Sequence, residues 1–155
     1  MAHAGFAKVA CQPFVRRLIV LTYRTKKSFP REERFGVVAQ MRKAAWSIGA
    51  NIAQGCGRSS NAAFRAGLDR AKGESSELEF HCEASLDMEF GIRAEVEHLL
   101  AETIRVSKML AKLIVVVRQR HPDDDEGRRN QRDRAPTSTD QVVRTNGPGN
   151  RSQPP

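Results

Sequence analysis

Aromatic side chains are few in this chain of 155 residues, which has one tryptophan, one tyrosine and seven phenylalanines. Tyr23 and Trp46 are isolated in the sequence, which argues against base stacking as the main way of holding a single strand. Cysteine is equally sparse. Cys11, Cys56 and Cys82 form no CxxC pair and keep no regular spacing. They read as free thiols, not as a disulfide framework or a zinc site. No apolar run nears the roughly 18 residues of a membrane span. The stretch 113–117 is apolar but far too short. The opening MAHAGFAKVACQPF lacks the long apolar core of a signal peptide. No alternation of apolar and polar residues marks a strand. The expectation is an all-α, cytoplasmic protein without a membrane partner.

Charge, by contrast, is abundant and unevenly placed. The net charge is +8. Residues 1–72 hold 14 Lys/Arg against 3 Asp/Glu, residues 73–104 hold 1 against 9, and residues 105–121 hold 5 against none. Such segregation can steer a polyanion to the basic side. It can equally pair basic and acidic surfaces between helices or between copies of the chain.

Apolar positions recur at steps of three and four, the period of a helix face. A first helix is expected over 11–27, with Phe14, Leu18, Leu21 and Thr25 inward and Ser28, Phe29 and Pro30 as its stop. A second is expected over 31–54. Pro30 suits its first turn, and Glu32 and Glu33 suit its dipole. Its core stripe is Val38, Met41, Ala45, Ile48 and Ile52, and Gly55 and Gly57 supply a C-cap and turn. Ser59, Ser60 or Asn61 caps a third helix with Phe64, Leu68, Ala71, Ser75, Leu78, Cys82 and Ser85 inward. Gly67, Ala71 and Gly73 make it thin enough for close approach. The pattern breaks over 87–91. A fourth helix then carries Ile92, Val96, Leu99, Thr103, Val106, Leu110, Leu113 and Val117, a heptad seam widened by Leu100, Met109, Ile114 and Val116. His121 and Pro122 end it. The architecture implied is an antiparallel four-helix bundle, up-down-up-down, over residues 13–121. A partly ordered lead-in over 1–12 precedes it. The composition of 122–155 predicts a disordered tail.

Several constellations invite a chemical reading, and each has a plainer one. Gln40, Ser47 and Asn51 form a polar stripe beside the core of the second helix. With Arg58, Glu77 and Glu79 they are expected at an interface, setting register within the bundle or against a neighbouring subunit. The sequence GCGR at 55–58 resembles a phosphate-cradling loop but lacks the GxxxxGK[ST] order, and reads as a helix end. Glu95-x-x-His98 has the spacing of a di-iron ligand pair. It has no second copy, because Leu78 stands where His81 needs a glutamate. No Ser/His/Asp set is visible. No catalytic residue, metal or cofactor is expected. The basic cluster is the most usable functional signal. Arg16, Arg17, Arg24, Lys26, Lys27, Arg31 and Arg34 lie in the first helix and the turn after it, and Arg65, Arg70 and Lys72 in the third. Lys/Arg neutralisation of phosphates confers salt-sensitive affinity for RNA or DNA.

The stretch QMRKAAWSIGANIAQGCGR, Gln40 to Arg58, resembles the Q-x-R-R-A-A-x-S-I-x-x-N-I-A-E-G-x-G-R signature of the four helix bundle family named for 23S ribosomal RNA intervening-sequence proteins. Phe29, Pro30, Glu33, Phe64 and the later Ala71, Gly73, Glu77, Leu78 and Glu79 are also similar to that family. Gln54 replaces an acidic residue and Glu74 a serine. The resemblance implies a four-helix bundle that assembles as a homopentamer. It also implies kinship with the accessory protein of diversity-generating retroelements, whose partners are a reverse transcriptase and nucleic acid. The expected function is a non-enzymatic oligomer that binds nucleic acid through a basic surface, with a protein partner such as a reverse transcriptase. The alternative is a structural or interaction scaffold that binds no nucleic acid.

Overall fold

Four α-helices dominate the chain: α1 Ala2–Thr25, α2 Val37–Cys56, α3 Asn61–Asp87 and α4 Arg93–Arg120. The computed structural model describes residues 2–58 and 60–120, with side chains from Cys11 onward except Lys26 and Arg120. The expected tail and the His121–Pro122 stop lie outside the described residues. Two short 3-10 turns, Lys26–Ser28 and Arg31–Arg34, join α1 to α2. Among the described residues there is no strand. Each helix packs on its sequence neighbours, and α1 also packs on α4, closing a square. Cross-helix pairs fix the directions. Tyr23 meets Arg42 and Val15 lies by Gly49, so α1 and α2 are antiparallel. Asn51 meets Arg70 and Gly55 meets Gly67, so α2 and α3 are antiparallel. Phe14 meets Arg105 and Ser28 meets Glu95, so α1 and α4 are antiparallel too. The up-down-up-down bundle is the observed fold.

The inward stripes follow the three-four rhythm. All the expected core positions of α2 and α3 are buried, and so are Val96, Leu99, Thr103, Val106, Leu110, Leu113 and Val117 of α4. Ile92 is 56% exposed, because it precedes α4 and its N–H is held at the loop. Val116 faces outward as well. In α1 the core stripe is Cys11, Val15, Leu18, Thr22 and Thr25. Phe14 and Leu21 flank it, half-buried, one step round from the expected face. The helix also begins at Ala2, not near residue 11, and runs through Pro13. An interior proline costs about 3 kcal/mol and a hydrogen bond; the Pro13 ring lies on the exposed side. Residues 2–12 of the expected lead-in are therefore helical backbone. At the other end, α1 stops at Thr25 and α2 starts at Val37, so 31–34 is not its first turn. Glu33 caps α2 from that turn, its Oε2 accepting the Val37 N–H at 3.1 Å. Ser60 caps α3, its Oγ accepting the Ala63 N–H at 3.2 Å.

Four of the buried hydroxyls are satisfied within their own helices. Thr22 donates to the Leu18 carbonyl (2.9 Å), Ser75 to Lys72 (2.7 Å), Ser85 to His81 (2.6 Å) and Thr103 to Leu99 (2.8 Å). These groups cost little to bury because none lacks a partner. They confer small size where helices must come close.

The closest approach is between α2 and α3. Gly55 is buried and lies inside α2, not in a turn. A Cβ at Gly67 would sit 2.8 Å from both the Asn51 carbonyl oxygen and the Gly55 Cα. Gly73, by contrast, faces open space and permits no close contact. Gly57 is right-handed at φ −80°, so the C-cap uses none of the freedom expected of it there. The α3–α4 turn does use it. Gly91 has φ +75°, and a Cβ there would come within 2.8 Å of the Phe29 ring. Phe29, 8% exposed, thereby closes one end of the bundle against that turn.

Two outcomes follow. Gly67→Ala is expected to destabilise by about 1–3 kcal/mol or more, since overpacking meets rigid backbone. Gly73→Ala is expected to stabilise by about 0.5–1 kcal/mol through helix propensity. Urea unfolding of the two variants against the parent checks the opposite signs. The thiols supply a second outcome. Burial, aided by the Glu83 and Glu79 carboxylates, pushes Cys82 up to about 12 from its ordinary 9.0. Burial first, then Cys56, raises Cys11. A thiol is neutral when protonated, so this contribution is full below 9.0 and lost as pH climbs toward about 12. Native-state labelling near pH 8 should modify half-buried Cys56 first, with Cys11 and Cys82 reacting only on unfolding. Rapid modification of all three would contradict the packing.

Candidate nucleic-acid interface

Pro30 has an extended backbone, φ −55° and ψ 147°, between the two 3-10 turns. The connection therefore crosses from α1 to α2 as a kinked strap and lays its basic side chains against the start of α2. There it bounds a cleft of about 230 Å³ with Phe29 and Val38 at its apolar wall and Lys27, Arg31, Arg34 and Arg42 as its cations. Lys27, Arg31 and Arg34 are exposed; Arg42 is half-buried. Farther up α1, Arg16, Arg17 and Arg24 are exposed. None of these seven pairs with a carboxylate among the described residues. The Lys26 side chain lies outside the described residues.

The α3 members of the expected set are differently placed. Arg65 lies 4.0 Å from Asp69, Arg70 Nε donates to Asn51 Oδ1 at 3.0 Å, and Lys72 donates to Ser76 at 3.2 Å. These residues stand level with the second half of α2. At about 1.5 Å per residue they are on the order of 12–22 Å from Arg42 along the axis. The structure thus divides the ten cations. Among the described residues the α1 and strap cations, Lys26 apart, have no acidic partner, and the α3 group is engaged within the bundle.

Arg42, a residue of the signature helix, joins the strap cations. Its Nη2 donates to the Tyr23 hydroxyl at 3.0 Å, and Cζ lies 4.6 Å from the Tyr23 ring centroid. Trp46 Nε1 donates to the same hydroxyl at 3.2 Å. Tyr23 and Trp46, isolated in sequence, are therefore partners across α1 and α2. The only sequence signal was antiparallel register: Tyr23 lies near the end of α1 and Trp46 half-way along α2.

Of the expected interface residues, Asn51 has the clearest role. Its Nδ2 donates to the Ser47 carbonyl at 2.9 Å while Oδ1 accepts from Arg70. Gln40 and Arg58 are exposed, and Ser47 is half-buried. Glu77 lies 3.6 Å from His81. Glu79 has a buried Oε1 without a hydrogen-bond partner, as Glu74 has a buried Oε2. Glu95 accepts from Ser28 Oγ at 2.9 Å, and His98 is exposed. Among the described residues, no three His, Cys, Asp or Glu side chains cluster as metal ligands. No helix there is long and apolar enough to cross a membrane.

The sequence profile described as 23S rRNA-intervening sequence protein matches residues 15–112. A crystal structure at 1.70 Å of a protein of unknown function from the S23 ribosomal protein family of Bacteroides thetaiotaomicron is similar in fold, with a TM-score of 0.58 and 25% identity. That match covers 72% of this chain and 97% of the other. No curated protein matches the chain.

The Asn51–Arg70 contact is measurable. A double-mutant cycle with Asn51→Ala and Arg70→Ala should return a coupling of about 1 kcal/mol, as for a hydrogen bond to a charged group at a partly exposed site. Strict additivity would place Arg70 back among the uncommitted cations.

Proposed function

The chain belongs to the 23S rRNA-intervening sequence protein family, and from that premise we propose that it is a cytoplasmic, non-enzymatic protein that binds nucleic acid through the α1 and strap cations. The observation that carries this reading is the absence of acidic partners for Arg16, Arg17, Arg24, Lys27, Arg31 and Arg34 among the described residues. Cations left unpaired on one face keep their full field for a polyanion, whereas paired ones are partly neutralised. Arg65, Arg70 and Lys72, all engaged, contribute less. The three free cysteines suit a reducing compartment.

Assembly of copies, five by family resemblance, multiplies this field. Trp46 and Phe80 favour such assembly, being 56% and 63% exposed on α2 and α3. A protein partner, a reverse transcriptase by the same resemblance, is the other occupant those faces suit. Large apolar side chains in solvent are common singly, so the oligomer has its own test. Phe80→Glu should lower the mass seen by light scattering, and an unchanged mass would remove Phe80 from any interface.

The main test is binding of RNA and DNA across a salt series. The logarithm of the association constant should fall linearly with the logarithm of salt, by about 0.9 per phosphate neutralised on duplex and about 0.7 on single strands. Replacing Arg16 and Arg17 by Gln should shallow the slope by roughly one to two. Replacing Arg65 and Arg70 should change it less. No binding at about 50 mM salt, where phosphate contacts are strongest, would overturn the reading.

A further inference from the structure

The cleft under the strap holds more positive charge than its surroundings balance. Four cations line it, and none of them pairs with a carboxylate among the described residues. The two acids of the strap do not change this. Neither lines the cleft or pairs with its cations, Glu33 Oε2 accepting the Val37 N–H and Glu32 being exposed, and two negative charges offset only two of the four positive ones. Like charges in a half-enclosed, partly apolar site repel one another more strongly than in open water. Such a site is completed by an anion.

Arg42 points to which anion. It is half-buried, held only by a neutral phenol, and its Nε is buried with no partner. A guanidinium has five N–H donors in a planar fork, and here Tyr23 takes one of them. A half-buried cation without a counter-charge is the costly state. A phosphate offers the fork two oxygens side by side and keeps others for the strap cations. A carboxylate has too few oxygens to meet four cations from separate directions. The volume of about 230 Å³ equals several water molecules, enough for a phosphate with its attached sugar carbons.

We propose that the cleft is a phosphate-binding subsite in which Arg42, Lys27, Arg31 and Arg34 take one phosphate group, with Tyr23 holding Arg42 in place when the cleft is empty. Its source as a backbone phosphate rests on the nucleic-acid reading above; the anion chemistry does not.

The molecule carries its own reporter. Trp46, the one tryptophan, shares the Tyr23 hydroxyl with Arg42. Occupancy that draws Arg42 off the phenol changes the surroundings of the indole. The full chain is titrated with inorganic phosphate, against sodium chloride at equal ionic strength, while Trp46 emission is read. A saturable change with phosphate but not chloride is expected. It should weaken at least tenfold in Arg42→Gln, and equally in the Arg31→Gln/Arg34→Gln pair, whose exposed positions spare the fold if Arg42→Gln does not. Lys108→Gln/Lys112→Gln, an equal charge change on the exposed face of α4, should leave it unchanged. A non-saturating response, or equal responses to phosphate and chloride, overturns the subsite.

A labelled RNA then separates the sources. A larger affinity loss for the strap pair than for the α4 pair assigns the cleft to backbone phosphates. Equal losses, with the phosphate response intact in the parent, assign it to free phosphate. A saturable phosphate response without RNA binding at low salt would retain the subsite and overturn the nucleic-acid reading alone.

Discussion

The bundle depends on one backbone contact. Gly55 and Gly67 bring α2 and α3 together so closely that a single Cβ would strike a Cα and a carbonyl oxygen 2.8 Å away. Side chains can repack around an added methyl group, but backbone on backbone has no room to yield. The depth of that contact sets the spacing at which Asn51 reaches Arg70. Small inward residues accompany it: Ala44 and Ala45 of α2 and Ala71 and Ser75 of α3 are fully buried. The buried Phe64 ring, one turn before Gly67, lies beside Gly55 at the same contact. Leu18, Ile48, Leu78, Leu99 and Leu110, all fully buried, are among the large residues of the core.

A second constraint acts at one end of the bundle. The Ser28 hydroxyl accepts the Ile92 N–H at 3.1 Å and lies 2.8 Å from the Thr25 carbonyl and 2.9 Å from Glu95 Oε2. Beside it Phe29 packs under Gly91. One short segment thus satisfies the start of α4, closes the apolar core and fixes where the strap crosses to α2. The basic cleft is a consequence of that crossing. Its cations sit where they do because Phe29 is anchored below them and Pro30 forces the chain to extend.

The proposed function turns on which charges find partners, and that is a tertiary property. Arg70 and Arg31 are equivalent as letters. In the bundle one donates to Asn51 and the other lines a cleft without an acid. Arg42 shows the reverse. It stands within the core helix, where a polar stripe suggested register, and the fold turns it toward the strap and the Tyr23 phenol.

Helix number, order and three of the four core stripes were legible in the sequence, because helical periodicity is a local property that the α2, α3 and α4 patterns repeat with few interruptions. The family signature from Gln40 to Arg58 was legible for the same reason. The α1 face was not, since Phe14, Val15, Leu18, Ile19, Leu21 and Thr22 allow two neighbouring stripes, and only packing against α2 and α4 selects Val15, Leu18 and Thr22. The roles of Gly55 and Gly67, the pairing of Tyr23 with Trp46 and the convergence of Arg42 with the strap cations were decided by tertiary structure alone. Each depends on the register between antiparallel helices. Register is set where two backbones touch, and no single helix encodes it.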